Sequence, residues 1–210
     1  MRSADKGGNV SCAAPKPIHW EDLRNRNPEQ ILKQDGVTST SDHAYEVRFL
    51  NAKYLVDAGA ERITELSPYP SRRLSEEFQI LLIRYLVADN GGPVTGVEVS
   101  EKDLPGGVTF FQGPHTLYVW PIAERYGRDP EAFEARALEL GAQRVPHGDT
   151  AMRFFPFPEI PVTYVLWKED DEFPASVSVL FDKSIIRWFA LDMVFTTVLA
   201  LTDHILTERP

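Results

Sequence analysis

The most regular hydrophobic pattern in the chain covers residues 74–86, where apolar side chains recur at steps of three and four residues. This spacing places them on one stripe of an α-helix. Gly and Pro at positions 91–93 follow and are typical of a helix end. A second amphipathic segment, residues 193–206, predicts a C-terminal helix capped by Asp192. The chain therefore contains at least two helices that can bury one face.

Shorter helices are marked by a capping residue followed by proline. Asn27 before Pro28 predicts one helix that ends by Gly36, and Asp129 before Pro130 predicts another that is closed by Gly141. Residues 100–103 have the capping-box pattern of a single helical turn. These segments predict peripheral helices between the longer elements.

Alternating apolar and polar residues predict β-hairpins in two places. Residues 45–49 and 54–57 form the first, with Tyr45, Val47 and Phe49 facing inward. Residues 162–167 and 176–181 are rich in β-branched and aromatic side chains and predict a second, antiparallel hairpin joined by an acidic turn.

The segments between these hairpins give weaker patterns. Residues 108–111 follow a Pro-Gly-Gly break and are typical of a short aromatic strand. Pro156, Pro158 and Pro161 are expected to interrupt the chain before the second hairpin.

Hairpins and separate helices without regular βαβ alternation predict an α+β fold, with a mixed or antiparallel sheet around a single main core. We expect the helix over residues 74–86 to cover the sheet of the second hairpin. Residues 1–17 contain few apolar anchors and are predicted to be disordered, so residues 18–210 would form one domain whose melting temperature does not depend on the first segment.

Composition limits the partners of this domain. Hydrophobic residues make up 43% of the chain, which is enough to bury a core. The formal net charge of −9 repels phosphate groups, so neither nucleic acid nor an anionic membrane surface is expected as a partner. The same acidic balance is also typical of ordinary cytoplasmic proteins.

Cysteine occurs once, at Cys12, which excludes an intrachain disulfide and an iron–sulfur cluster held by this chain alone. The first residues contain no apolar segment of the kind found in signal peptides, and no stretch has the length of a membrane span. We therefore expect a cytoplasmic protein. Motifs of the common hydrolases, nucleotide-binding folds and zinc proteases are absent from the sequence.

Four groups of residues could carry chemistry. In the first, a turn presents the imidazole of His115 directly after an aromatic run. This side chain could be an axial or metal ligand or a general base, or it could satisfy a backbone carbonyl at a helix entrance. Phe111 and Trp167 are candidate walls of an aromatic pocket beside it, although such side chains equally suit a core.

The second group is His147 with Asp149, a turn in which an imidazole and a carboxylate could orient each other, or in which Asp149 caps the backbone. The third is the acidic run at residues 169–172, with Asp182 near the end of the returning strand. Its carboxylates are not spaced as in calcium loops, so a solvated turn is the simpler interpretation. We expect Glu172 to point inward to a partner.

The fourth group is Arg72 and Arg73, which precede the helix over residues 74–86. Backbone N–H groups at a helix N-terminus favour an anion, and guanidinium groups would add bidentate contacts. Ion pairs with nearby carboxylates are the alternative.

Several stretches resemble the uncharacterised bacterial and archaeal family called domain of unknown function 3786. The matching stretches include FQGPH at residues 111–115, GDTA at residues 148–151 and LWKEDDEFPA at residues 166–175. The resemblance implies anaerobic cofactor or one-carbon metabolism, since the family occurs mainly in anaerobes and some members are fused to a four-cysteine iron–sulfur module. The single cysteine of this chain excludes that module here.

These observations favour a ligand-binding or accessory protein that holds a planar or metal-containing cofactor near His115. A tetrapyrrole needs only one imidazole and apolar walls, whereas a metal ion needs several donors. The first alternative is an enzyme that uses the carboxylates of Asp149 and Asp182 as acid and base. The second is a protein-interaction module with the acidic turn as its contact.

Overall fold

The computed structural model describes residues 15–66, 74–89 and 91–207. Over these residues the chain has an α+β fold with two antiparallel sheets, one of four strands and one of five. The helices are α1 (Pro17–Asn25), α2 (Pro28–Ile31), α3 (Glu76–Val87), α4 (Gly107–Phe110), α5 (Trp120–Tyr126), α6 (Pro130–Glu139), α7 (Ile185–Trp188) and α8 (Leu191–Leu206). The strands are β1 (Val37–Ser41), β2 (Ala44–Phe49), β3 (Ala52–Asp57), β4 (Arg62–Glu65), β5 (Glu98–Ser100), β6 (Gln143–Val145), β7 (Thr150–Phe157), β8 (Ile160–Trp167) and β9 (Ser176–Asp182).

The four-stranded sheet is a meander in the order β1-β2-β3-β4. Its central pair is the first predicted hairpin, and Tyr45, Val47 and Phe49 are buried as their alternation predicts. The turn between β2 and β3 places Leu50 at a positive φ of 53°.

The five-stranded sheet has the order β5-β9-β8-β7-β6. The second predicted hairpin is confirmed, because β8 and β9 pair antiparallel from Val162 opposite Phe181 to Trp167 opposite Ser176. Strands β5 and β6 are three residues long each and form the two edges of the sheet. Short edge strands leave few unpaired backbone groups for other chains to pair with.

Strand β7 passes through a segment that the prolines were expected to interrupt. Its pairing with β8 changes register between Phe154 and Phe157, and Pro156 lies within this irregularity. Proline is tolerated at a bulge because the ladder does not require its missing N–H there. The carbonyl of Pro156 accepts a hydrogen bond from the Leu50 N–H at 2.9 Å, which ties β7 to the four-stranded sheet.

The two longer and the two shorter predicted helices are all present, although α2 ends at Ile31, earlier than the predicted end at Gly36. Side chains of Asn27, Ser75 and Asp129 accept hydrogen bonds from backbone N–H groups at the starts of α2, α3 and α6. Helix α8 begins two residues earlier than its pattern predicts and has Ala190, not Asp192, at its N-cap. Residues 101–103 form a 3₁₀ helix with the predicted capping box between Ser100 and Asp103.

The apolar stripe of helix α8 faces the core. Val194, Val198, Leu201 and Ile205 have no solvent exposure. The hydroxyl of Tyr164 on β8 donates to the Val198 carbonyl oxygen at 3.1 Å, so the five-stranded sheet is attached directly to this helix.

The helix that packs on the second hairpin is not the expected one. Helix α5 packs on β9 and α6 packs on β7, whereas α3 packs on α1 and α8. The reason is that α3 is apolar over most of its circumference, including Ile83, and so packs between two helices. Its Tyr85 side chain reaches the five-stranded sheet, where it stacks on Phe157 at 3.9 Å between ring centroids.

Residues 107–110 form a helical turn and not the predicted aromatic strand. Gly106 has a positive φ of 80°, which reverses the chain before the turn. Gly107 lies so close to the preceding 3₁₀ helix that a Cβ at this position would be 1.9 Å from the Glu101 carbonyl oxygen. This close approach folds residues 107–110 back instead of letting them extend.

The N-terminal prediction falls largely outside the described residues, which begin at Pro15. This residue is buried, and α1 begins at Pro17. No helix in the described ranges is both long enough and apolar enough to cross a membrane.

Candidate functional site

The imidazole of His115 lies on the protein surface in a turn between α4 and α5. Residues 113–115 form a short 3₁₀ helix that starts at Gly113, which has a positive φ of 56°. The imidazole stacks on the Phe110 ring with centroids 4.5 Å apart and an angle of 19° between the planes. Phe195 of α8 contacts it edge-on at 5.7 Å. Among the described residues its ring nitrogens have no hydrogen-bond partner, so they remain available to a ligand.

The expected walls of this site lie in different places. Phe111 is half-buried and its ring meets Phe110 edge-on at 5.1 Å. Trp167 is the last residue of β8 and lies beside Gly148. A Cβ atom added to this glycine would be 3.4 Å from the indole of Trp167. The rings that contact His115 within the described structure are therefore Phe110 and Phe195.

Asp182 holds two chain segments together at the end of β9. Its carboxylate accepts hydrogen bonds from the backbone N–H groups of Thr95, Gly96 and Ser184 and from the hydroxyls of Thr95 and Ser184, at 2.6–3.0 Å. We call these four residues the Asp182 clasp. Asp182 is only 4% exposed, so it faces these donors and not a cleft.

The pKa of Asp182 shows how strongly these donors favour its charged form. Burial by itself would raise this pKa. The hydrogen bonds from Ser184 and Thr95 outweigh it and lower the pKa to about 2. A carboxylate with so low a pKa is a weak proton acceptor near neutral pH.

Asp149 and His147 do not orient each other. One carboxylate oxygen of Asp149 accepts a hydrogen bond from the Lys168 backbone N–H at 2.9 Å. Asp149 therefore caps the backbone, which is one of the two alternatives that the sequence left open. The His147 Nε2 lies 2.8 Å from a carboxylate oxygen of Glu98 instead. Between them, Gly148 has a φ of 51°, and a Cβ there would be 2.6 Å from Val165. Residues 146–149 thus lie tightly across one face of β8.

His147 belongs to a polar cluster that the sequence did not reveal. The other carboxylate oxygen of Glu98 accepts from the Thr163 hydroxyl at 2.7 Å and from the Arg153 guanidinium at 3.0 Å. We call Glu98, His147, Arg153 and Thr163 the outer-face cluster, since it lies on the side of the five-stranded sheet that faces away from α8. Its members come from β5, β7, β8 and a loop, which become neighbours only through the strand order.

The electrostatics of the outer-face cluster favour a charged Glu98. Burial would raise the pKa of this carboxyl, but the hydrogen bonds from its three neighbours outweigh that effect. The pKa therefore lies below its usual range. Because both carboxylate oxygens of Glu98 are already engaged within the protein, the cluster is suited to holding residues 146–149 on the sheet.

The acidic run forms a defined turn, but Glu172 does not hold it. The side chain of Asp170 accepts from the backbone N–H groups of Glu172 and Phe173 at 2.8 and 2.7 Å. Both bonds lower the pKa of Asp170. Glu169 forms a two-point ion pair with Arg128, which lowers the pKa of this glutamate. The side chain of Glu172 is exposed, which corrects the expectation that it points inward.

Arg72 and Arg73 lie outside the described residues, so their expected anion site has no structural counterpart in the part of the chain that is described. Over the same part of the chain, no three His, Cys, Asp or Glu side chains are grouped in a way that could hold a metal ion.

No curated protein and no solved structure matches the chain. A family model described as a domain of unknown function, DUF3786, matches residues 27–203 of the 210. The match begins earlier than the stretches quoted above and includes both sheets, α8 up to Asp203 and the FQGPH and LWKEDDEFPA segments. The chain belongs to the DUF3786 family.

Proposed function

We propose that the protein is a cofactor-binding accessory protein of anaerobic metabolism, and that it binds a planar, metal-containing cofactor such as a tetrapyrrole through His115. The observation that carries this proposal is the exposed imidazole of His115, stacked on Phe110 and without a hydrogen-bond partner among the described residues. We place this function in the cytoplasm, because an acidic chain with a single cysteine is typical of that compartment.

The chemistry of the imidazole supports this choice of ligand. A neutral imidazole nitrogen is a good axial ligand for the iron or cobalt of a tetrapyrrole, and the macrocycle supplies the remaining in-plane ligands itself. The stack on Phe110 and the edge contact with Phe195 limit the orientations of the imidazole before any ligand binds. A side chain that is already ordered loses less conformational entropy on binding.

The carboxylates support a binding role in preference to acid–base catalysis. Asp182 is buried beneath five hydrogen bonds, and Asp149 is engaged with the Lys168 backbone. An acid–base residue needs a pKa near the working pH and access to a substrate proton. Asp182 has neither of these properties.

The proposal is tested by absorbance spectra of protein purified without oxygen, followed by titration with haemin and with cobinamide. We expect a change in the spectrum of one of these compounds on binding. The change His115→Asn should weaken binding at least roughly tenfold, because the axial ligand is lost.

His43 provides a matched control. It is also exposed, it lies at a positive φ of 60° that asparagine tolerates, and it is in the β1–β2 turn. The change His43→Asn should leave binding unaltered. A colourless protein that binds neither compound, or equal affinity in both variants, would overturn the proposal.

A further inference from the structure

The hairpin tip, which we define as residues 167–175, is fixed at several points to the rest of the protein. The Lys168 N–H donates to Asp149 and the Glu169 N–H donates to the Gly127 carbonyl oxygen at 3.0 Å. Gly127 also lies so close to Ala175 that a Cβ added to the glycine would be 2.1 Å from the alanine Cβ. The tip is therefore held against the loop between α5 and α6 as well as against residues 146–149.

Within the hairpin tip, a second set of bonds fixes the turn itself. The Asp170 N–H donates to the Phe173 carbonyl oxygen at 3.0 Å, and the Asp170 side chain accepts from two backbone N–H groups across the same turn. Pro174 follows and restricts the backbone further. The backbone that carries the side chains of this turn consequently keeps a fixed position relative to the core.

Two large aromatic side chains are exposed on this fixed hairpin. Trp167 is 49% exposed and Phe173 is 67% exposed. Exposed aromatic side chains on a rigid backbone are typical anchors of protein interfaces, because burying them yields a large gain at a small cost in conformational entropy. Neither aromatic ring is needed to hold the turn, because the hydrogen bonds described above come from backbone groups and from the side chain of Asp170.

The charges beside these anchors indicate what binds there. Glu169 is paired with Arg128 and Asp170 is engaged in the turn. Asp171 and Glu172 are exposed, and within the described residues their carboxylates have no hydrogen-bond or ion-pair partner. These two negative charges and the overall charge of −9 attract a basic partner and repel phosphate-rich surfaces.

We propose that the hairpin tip is a docking surface for a basic segment of a partner protein, with Trp167 and Phe173 as its apolar anchors and Asp171 and Glu172 as its charged rim. This surface does not depend on the ligand of His115. Hot-spot residues of this kind contribute most of the affinity of an interface, while rim charges mainly raise the association rate and set specificity.

The experiment is a titration of the isotope-labelled full chain with a synthetic hexapeptide, Lys-Leu-Lys-Lys-Leu-Lys, followed by NMR. We expect the shifted backbone amides to be concentrated in residues 167–177. The change Phe173→Ser should weaken binding at least roughly fivefold, since one buried anchor is removed. The matched control is Val108→Ser, another exposed apolar residue at 61% exposure, which should leave the affinity unchanged.

The charge argument has its own controls. The change Glu172→Gln should reduce affinity more than Glu131→Gln, which also removes an exposed carboxylate, on α6. A peptide with glutamate in place of every lysine should not bind. Absence of shifts in the hairpin tip at millimolar peptide, shifts scattered over the acidic surface, or equal effects of Phe173→Ser and Val108→Ser would overturn the proposal.

Discussion

Asp182 and Asp170 perform the same task in two different environments. Each is an aspartate whose carboxylate accepts backbone N–H groups and so fixes a turn next to β9. Asp182 is 4% exposed and has five hydrogen bonds from the Asp182 clasp. Asp170 is exposed and has two.

The difference shows that burial, more than the type of hydrogen bond, decides how much such a carboxylate contributes to the free energy of unfolding. Water competes for the donors around Asp170, so removing the carboxylate leaves them solvated. Removing the Asp182 carboxylate would leave its donors unsatisfied in the interior. The loss of stability would then be much larger than the net contribution of the individual hydrogen bonds. The two aspartates should therefore respond very differently to the same substitution.

The largest effect is expected for Asp182→Ala. Removing the carboxylate leaves several donors of the Asp182 clasp unpaired, and we expect the free energy of unfolding to fall by about 3–5 kcal/mol. Urea denaturation measures this change. Asp171→Ala is the control, because Asp171 is exposed and should change stability little. A loss below about 1 kcal/mol in Asp182→Ala would contradict the role given to burial.

The pH dependence of stability gives the next largest effect. The pKa of Asp182 is about 2 in the folded protein, compared with the ordinary value of 3.8 that applies in the unfolded chain. A carboxyl whose folded pKa is depressed contributes stability above its unfolded pKa and loses it as pH falls through the folded value. We expect the stability difference between the wild type and Asp182→Asn to shrink by roughly 2 kcal/mol between pH 6 and pH 2. A difference that stays constant over this range would mean that the carboxylate is not held in its charged form.

The smallest effects are expected in the hairpin tip. Asp170→Ala should lower the thermal midpoint by only a fraction of the decrease seen in Asp182→Ala, because solvent replaces the lost bonds. Glu172→Gln should leave the midpoint unchanged, with or without added calcium, since its carboxylate holds no part of the turn. Thermal melts followed by circular dichroism decide this. Equal losses in Asp170→Ala and Asp182→Ala would remove the distinction between the two aspartates.

Much of the fold could be predicted from local patterns. The β8–β9 hairpin, α3 and the Asn27 and Asp129 caps were predicted within a few residues, because each depends on periodicity or on a cap next to its own helix. Residues 107–110 and β7 were predicted wrongly. Their conformations depend on the close approach of Gly107 to Glu101 and on a bulge that accommodates Pro156, and hydrophobic periodicity reveals neither of these features.

The candidate sites were less predictable because their contacts join residues that lie far apart in the sequence. The sequence singled out His115 as an imidazole presented by a turn and suggested that Asp149 could cap a backbone group. It did not identify Phe195 as a neighbour of His115, since 80 positions separate them. The outer-face cluster was missed entirely, because it joins Glu98 to Thr163 across 65 positions. Nothing local distinguishes Asp182 from Asp170, and only their burial separates their roles.

The long separation within the Asp182 clasp has a consequence for folding kinetics. Asp182 binds Gly96 across 86 positions of the chain, and closing a flexible loop of this length costs roughly 4 kcal/mol of entropy. We expect the carboxylate to meet these donors only after β5 has reached β9, so that its bonds form late in folding. Contacts absent from the transition state slow unfolding without accelerating folding. The Asp182 clasp should thus act mainly as a kinetic barrier that keeps the folded chain from opening.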